Sequence, residues 1–318
     1  MVVSGNLDAN SGGAASSGLR VGITGASGLI GSALSIALRS AGHVPVPFVR
    51  RTAASGEIGW DPAGGRLAVG DLADLDAVVN LAGAGIGDHR WTDEYKRTLR
   101  DSRIRSTDLL ASAISEARTR GSGPSVLLSG SAIGAYGPHG DEQLDEAAPL
   151  ATDFLGTLCR DWEAATAPAE AAGVRVAHLR TGIVLSPDGG ALKKQLPLFK
   201  LGLGGRFGSG RAWQSWIAID DHVAAMLHLL GSDVSGPVNL TAPNPVTGSE
   251  FARVLGAVLH RPAILPIPRF GPALLLGGEL VDALLFTGQR VLPSVLLADE
   301  FAFAHPQLDG ALRALLRR

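Results

Sequence analysis

The chain has one cysteine, two methionines and two tyrosines in 318 residues. A single thiol, Cys159, excludes an internal disulfide framework, and eight histidines scattered without ligand spacing argue against a structural zinc site. Neither sign of charge is in excess. The net charge of -2 gives no electrostatic basis for holding nucleic acid or an acidic membrane surface, which leaves a small molecule as the expected partner. No apolar run approaches the roughly 20 residues that span a bilayer. The apolar segments near the C-terminus are interrupted by Gly, Pro, Glu279 and Asp282, which speaks against a membrane-associated tail. A reducing compartment, the cytoplasm, is the expected setting, and the oligomeric state, monomer or homodimer, stays open. Residues 1–18, rich in Gly, Ser and Ala, lack the basic and apolar regions of a secretory signal and read as a disordered leader.

From Leu19 onward short β-branched runs alternate with longer helical patterns. RVGIT precedes a helix from about Gly28 to Ser40, then come VPVPFV and AVVNLA, a helix across 92–118, SVLLSG, a helix over 153–172 and VRVAHLRTG. This alternation predicts a Rossmann-like, doubly wound α/β fold with a parallel sheet. Residues 19–185 form the expected dinucleotide-binding domain, with a later strand returning near 237–241. Gly-rich loops and substrate-side segments follow over 186–260, and a helical extension over 261–318. In VPVPFV, Pro45 and Pro47 would remove donors from one edge, so this strand should bond well on one side only.

RVGITGASGLIG places Gly25, Gly28 and Gly31 between an apolar strand and an amphipathic helix. The first glycine permits a tight turn, the second lets a pyrophosphate approach, and the third allows close packing of helix on strand. With Ser27, Leu29 and Ile30 they form the expected phosphate loop, the helix N-terminus supplying free N–H groups. The next strand ends in Arg50-Arg51, where a protein preferring NAD would more often present an acid to the ribose. Two guanidiniums favour a 2′-phosphate, hence NADP(H); the alternative is a pair of solvated surface arginines.

TGASGLIG, NLAG at 80–83 and SGSAIGAYG at 129–137 together resemble the extended short-chain dehydrogenase/reductase superfamily. WDP, RWTDEYKRTLRDSRI, LCRDWE, RTGIVL, WQSWIAIDD and GQRVLP narrow the resemblance to its atypical epimerase-family branch, the nucleoside-diphosphate-sugar epimerase-like proteins with a C-terminal extension. The resemblance implies that Asn80, Leu81, Ala82 and Gly83 wall the cofactor, and that Gly182, Ile183 and Val184 approach the nicotinamide. It also implies a Tyr-x-x-x-Lys pair on a helix, whose Tyr moves a proton while its Lys lowers the Tyr pKa. Laid on this chain with Glu163 as the trailing acid, the pair falls on Leu155 and Cys159. Both groups are missing, and both positions should be largely buried.

Ser131 matches the superfamily serine and could bond a substrate carbonyl or merely cap a loop. Tyr136 is a candidate proton donor outside the inherited position, and Lys96, His139, Asp141 and Glu142 are further polar candidates. Cys159 sits in mid-helix on an apolar stripe, a structural setting for a thiol. Arg206, Arg211, Trp213 and Gln214 cluster around a Gly-rich loop as an expected substrate wall. Asp220 and Asp221 read as a helix start. Two functions remain open: an NADP(H)-dependent oxidoreductase or epimerase-like enzyme, and a cofactor-binding protein of little turnover whose conformation a partner reads.

Overall fold

The computed structural model describes residues 18–317; the leader expected over 1–18 lies, but for Gly18, outside them. The first half contains β1 (Arg20–Thr24), α1 (Leu29–Ser40), β2 (Val44–Val49), β3 (Ile58–Asp61), β4 (Arg66–Leu67), β5 (Ala77–Asn80), α2 (Asp93–Thr119) and β6 (Val126–Ala132). Then come β7 (Gln143–Leu144), α3 (Phe154–Ala164), α4 (Ala167–Ala171), β8 (Arg175–Thr181), β9 (Ile183–Leu185) and α5 (Gly190–Lys200). The later elements are β10 (Trp213–Gln214), β11 (Trp216–Ala218), α6 (Ile219–Gly231), β12 (Gly236–Leu240), β13 (Val246–Thr247) and α7 (Gly248–Leu259). The end holds α8 (Phe270–Leu276), α9 (Gly278–Val281), β14 (Arg290–Val291), α10 (Ser294–Ala298) and α11 (Leu308–Leu316).

Eight strands form one sheet in the order β12-β8-β6-β5-β1-β2-β3-β4, every pairing parallel except β3 with β4. Alternate residues of the buried strands face opposite layers. Val21, Ile23 and Val79 join Leu34, Leu38 and Met226 from α1 and α6, while Val78 and Leu127 join Leu110 and Ile114 from α2. The fold is therefore a doubly wound α/β sheet, as its alternating pattern predicts. The chain leaves β1 toward β2 and returns on the other side as β5, so a crevice opens between the carboxyl ends of β1 and β5.

Proline placement decides the β2 edge. Val44 to Pro47 pair with β1, and the Val44 N–H donates to Leu19, whereas β3 joins only at Phe48 and Val49, beyond both prolines. The donors that Pro45 and Pro47 lack would have faced β3.

Three departures from the sequence reading have local causes. The helix expected over 153–172 is two helices, because Thr166 turns its hydroxyl onto the Glu163 carbonyl and Pro168 starts a new helix. The segment after 185, read as Gly-rich loop, contains α5, whose buried Leu192, Leu196 and Phe199 follow helical spacing. Segment 186–260, beyond the strand expected to return near 237–241, also gives the nucleotide-binding half α6, which packs on α1.

From residue 261 onward the chain is mostly helical and is tied back at defined points. Strand β14 pairs with β7. Asp221 does lie in the first turn of α6, but it is buried and accepts the backbone N–H groups of Ala304 and His305 at 2.8 and 2.9 Å. Its carboxylate clamps the C-terminal segment in addition to meeting the helix dipole. Asp221→Ala removes two charge-assisted bonds and is expected to cost about 2–3 kcal/mol in urea denaturation, with amide exchange over 299–316 accelerated most. Unchanged protection of that segment would refute the clamp.

Candidate cofactor and substrate site

The turn leaving β1 is built for close backbone approach. Gly25 has φ of 67°, and a Cβ there would lie 2.8 Å from the Leu81 carbonyl oxygen; at Gly31 a Cβ would meet the Gly25 carbonyl oxygen at 2.3 Å. Gly28 is the N-cap of α1, is exposed, and carries no side-chain cap. The first-turn N–H groups of α1 are thus left to an external acceptor, with the positive end of the helix dipole behind them and Ser27 exposed beside them. A diphosphate fits this cradle.

A buried relay fixes the opposite wall. The Thr24 hydroxyl donates to Asn80 Oδ1 at 2.7 Å and accepts the N–H groups of Leu81 and Ala82, while Asn80 Nδ2 donates to Thr107. Asn80 is fully buried, so it positions the NLAG turn and does not itself face a ligand. At Gly83 a Cβ would crowd the Arg103 guanidinium at 3.3 Å. At the end of β2, Arg51 is held bidentately by Glu57 at 2.6 and 2.7 Å, whereas Arg50 is exposed and makes no bond or ion pair among the described residues. Of the two cations expected to share a 2′-phosphate, Arg50 is the uncommitted one.

Beyond β6 lies a buried polar chain. The Ser131 hydroxyl donates to Glu163 Oε1 at 2.6 Å, and Arg180 grips both oxygens of the same carboxylate at 2.8 and 2.9 Å. Arg180 also donates to the Tyr136 hydroxyl, which donates to Asn239, and the Asn239 N–H donates to Glu146. Burial alone would raise the Glu163 carboxyl, but Arg180 and Ser131 outweigh it and hold it below the usual carboxylate range. Burial pushes the Tyr136 phenol up, against the opposing bonds from Arg180 and Asn239.

This geometry corrects three expectations. Tyr136 is 0% exposed with its hydroxyl engaged on both sides, so it has no route to a substrate proton. The Ser131 proton is committed to Glu163, which leaves its oxygen as an acceptor and not the donor that a carbonyl needs. Leu155 is half-buried against Gly134 and not largely buried as expected. Cys159 is buried, its thiol 3.7 Å from the Ala132 carbonyl oxygen, and burial, reinforced by the Glu163 charge, pushes it up to about 11.

The sequence reading missed Arg103. Its guanidinium lies 5.1 Å over the Trp162 ring and donates to the Leu99 carbonyl, and no carboxylate among the described residues pairs with it. Burial pulls its pKa down, yet it stays a cation beside Gly83. The only signal was its place in RWTDEYKRTLRDSRI, where it looks like one more charge on a polar helix.

The expected substrate wall is not one surface. Trp213 donates its indole N–H to Asp141 at 2.7 Å and stacks under Arg290 at 4.4 Å, with Gln214 next to it in β10. Arg211 is exposed, and Arg206 lines a cleft with Ser249, Arg253 and Arg261 that Trp213 and Gln214 do not share. Gly182 passes close to β11, where a Cβ would meet the Ser215 carbonyl oxygen at 2.4 Å. Ile183 and Val184 pair there with Trp216 and Ile217. Lys96 is paired with Glu279 of the C-terminal region.

A thiol so placed is inert. Cys159 is expected to react with an aromatic disulfide reagent at pH 8 only as the protein unfolds, and Cys159→Ala to cost about 1 kcal/mol without changing cofactor affinity. Rapid labelling of the folded protein would contradict this.

The family profile described as NAD dependent epimerase/dehydratase matches residues 21–241, and a second, a domain of unknown function called DUF1731, matches 267–315. The epimerase family protein Mb2239 of Mycobacterium bovis is 45% identical over 294 residues, 92% of this chain and 96% of that protein. Human epimerase family protein SDR39U1 is 36% identical over 302 residues, 94% of this chain and 100% of that protein. The crystal structure of human SDR39U1 (isoform 2) with NADPH superposes with a TM-score of 0.85 at 33% identity, covering 94% of this chain and all of that one. The chain thus belongs to the NAD-dependent epimerase/dehydratase family and carries a DUF1731 region at its C-terminal end.

Proposed function

We propose that the chain binds NADP(H) and acts as an oxidoreductase or epimerase-like enzyme on a small hydroxyl- or carbonyl-bearing substrate, possessing no Tyr-x-x-x-Lys pair. One observation carries the cofactor reading: an uncapped helix N-terminus behind Gly25 and Gly28, with the uncommitted Arg50 at the end of the neighbouring strand. The human relative solved with NADPH supports the same choice of dinucleotide.

In this reading residues 19–185, completed by α6 and β12, hold the cofactor, and the later segments cover the substrate. Leu29, Ile30 and Gly31 offer backbone N–H groups to the diphosphate, Arg50 meets the 2′-phosphate, and Leu81 to Gly83 wall the ribose. Ile183 and Val184 shield the reacting end from water. When bound, the cofactor supplies or accepts a hydride. Ser131, fixed by Glu163, accepts a bond from a substrate hydroxyl or a carboxamide N–H.

A second reading, a cofactor-binding protein of little turnover, draws on Leu155 and Cys159 standing where the resemblance places the acid and the cation. Titration of intrinsic fluorescence with NADPH and NADH, followed by a carbonyl screen for NADPH oxidation, separates the two. Arg50→Ala is expected to weaken NADPH about tenfold, or ~1.4 kcal/mol, and to leave NADH unchanged. Equal affinity of the unsubstituted protein for both cofactors would overturn the role of Arg50.

A further inference from the structure

We propose that Tyr95, at the start of α2, is the proton donor of this site, with Arg103 as the cation that steadies its phenolate; the assignment rests on the NADP(H) reading above. A carbonyl that receives a hydride becomes an alkoxide and must gain a proton. Around the NLAG turn the hydroxyls of Thr24 and Ser131 have given their protons to Asn80 and Glu163. The Ser102 hydroxyl donates to Leu99 and accepts the Ala84 N–H. Tyr136 is sealed in the core.

Tyr95 also gives its proton to a backbone carbonyl, but that carbonyl belongs to the loop after Gly83 and not to the core or to its own helix. Thr92 caps α2 by accepting the Tyr95 N–H, which fixes where the ring leaves the helix. The ring is half-buried and stacks edge-on against His89 at 4.9 Å, and its hydroxyl donates to the Gly85 carbonyl at 2.5 Å. Gly85 lies two residues beyond Gly83, on the loop that leaves the cofactor wall. A substrate oxygen arriving there can replace that carbonyl as the acceptor without opening the core.

Arg103 is two turns further along the same helix. Long side chains on a helix lean toward its N-terminus, and the guanidinium folds back onto the Leu99 carbonyl, shortening the gap to the phenol. Burial, with Asp88 behind it, holds the Tyr95 phenol above its ordinary range and Arg103 from α2 works against them; His89 from the loop is the other titratable group that faces the ring.

A hydride leaves C4 of NADPH with its electron pair and bonds to the carbonyl carbon, giving NADP+, while the π pair moves onto oxygen. That oxygen takes the proton from Tyr95 Oη, and the phenolate, facing Arg103, regains a proton from solvent.

The test needs no substrate. The protein is labelled with 13Cζ-tyrosine, which gives two resonances, and Tyr95→Phe identifies the one that is lost. The ionisation of Tyr95 is then followed in the NADP+ and NADPH complexes. A phenol beside the nicotinamide senses the positive ring of NADP+, so its midpoint is expected about one pH unit lower in the NADP+ complex than with NADPH. The same midpoint in both complexes overturns the assignment. If neither dinucleotide binds, the cofactor reading itself falls, and fluorescence titration detects that separately.

Discussion

The ion pair between Glu163 and Arg180 is the interaction on which the rest of the site depends. Both side chains are nearly inaccessible, at 11% and 5% exposed, and the contact is bidentate. A buried pair of this kind contributes little net stability relative to an apolar substitute, but removing one partner strands a charge and costs about 3–5 kcal/mol. Its consequences are positional. Glu163 belongs to α3 and Arg180 to β8, and between them they orient Ser131 on β6 and Tyr136 beyond it. Through Asn239, which donates to the Leu292 carbonyl, and Glu146, which accepts the Val295 N–H, the chain of bonds reaches the C-terminal region. The ion pair, Tyr136, Asn239 and Glu146 therefore link the end of the sheet to the C-terminal region.

Charge placement gives the crevice its character. The protein as a whole is close to neutral, yet Arg50, just past the end of β2, and Arg103, beside Gly83, have no carboxylate partner among the described residues. Several other cations are committed: Arg51 to Glu57, Lys96 to Glu279, Arg269 to Asp282. Lys96 and Arg90, the latter bonded to the Leu274 and Leu275 carbonyls, also tie α2 and its preceding loop to the C-terminal helices. The helix that presents Tyr95 and Arg103 is thus one of the elements to which the C-terminal region is tied.

Much of this was legible in the sequence where local pattern decides the outcome. Alternating strands and helices set the fold, the glycine spacing set the tight turn between β1 and α1, and two prolines set the reach of the β2 edge. What stayed hidden depends on partners distant in sequence. Tyr136 looked available because its bonds come from Arg180 and Asn239, which no local window contains. Asp221 looked like a helix start because its other partners lie more than 80 residues away, at Ala304 and His305. Arg103 went unremarked because the local sequence does not reveal that its guanidinium lies over the Trp162 ring. Two features were missed despite a local signal: the helix break at Pro168, and α5, whose spacing of Leu192, Leu196 and Phe199 was masked by flanking glycines.

The most direct test of this account is a double-mutant cycle on Glu163→Gln and Arg180→Gln, read by chemical denaturation. If the pair is the shared constraint, each single variant loses about 3 kcal/mol or more, and the double variant loses little beyond the larger single loss. Losses that add to within about 0.5 kcal/mol would mean that the two residues act independently, and would contradict the account.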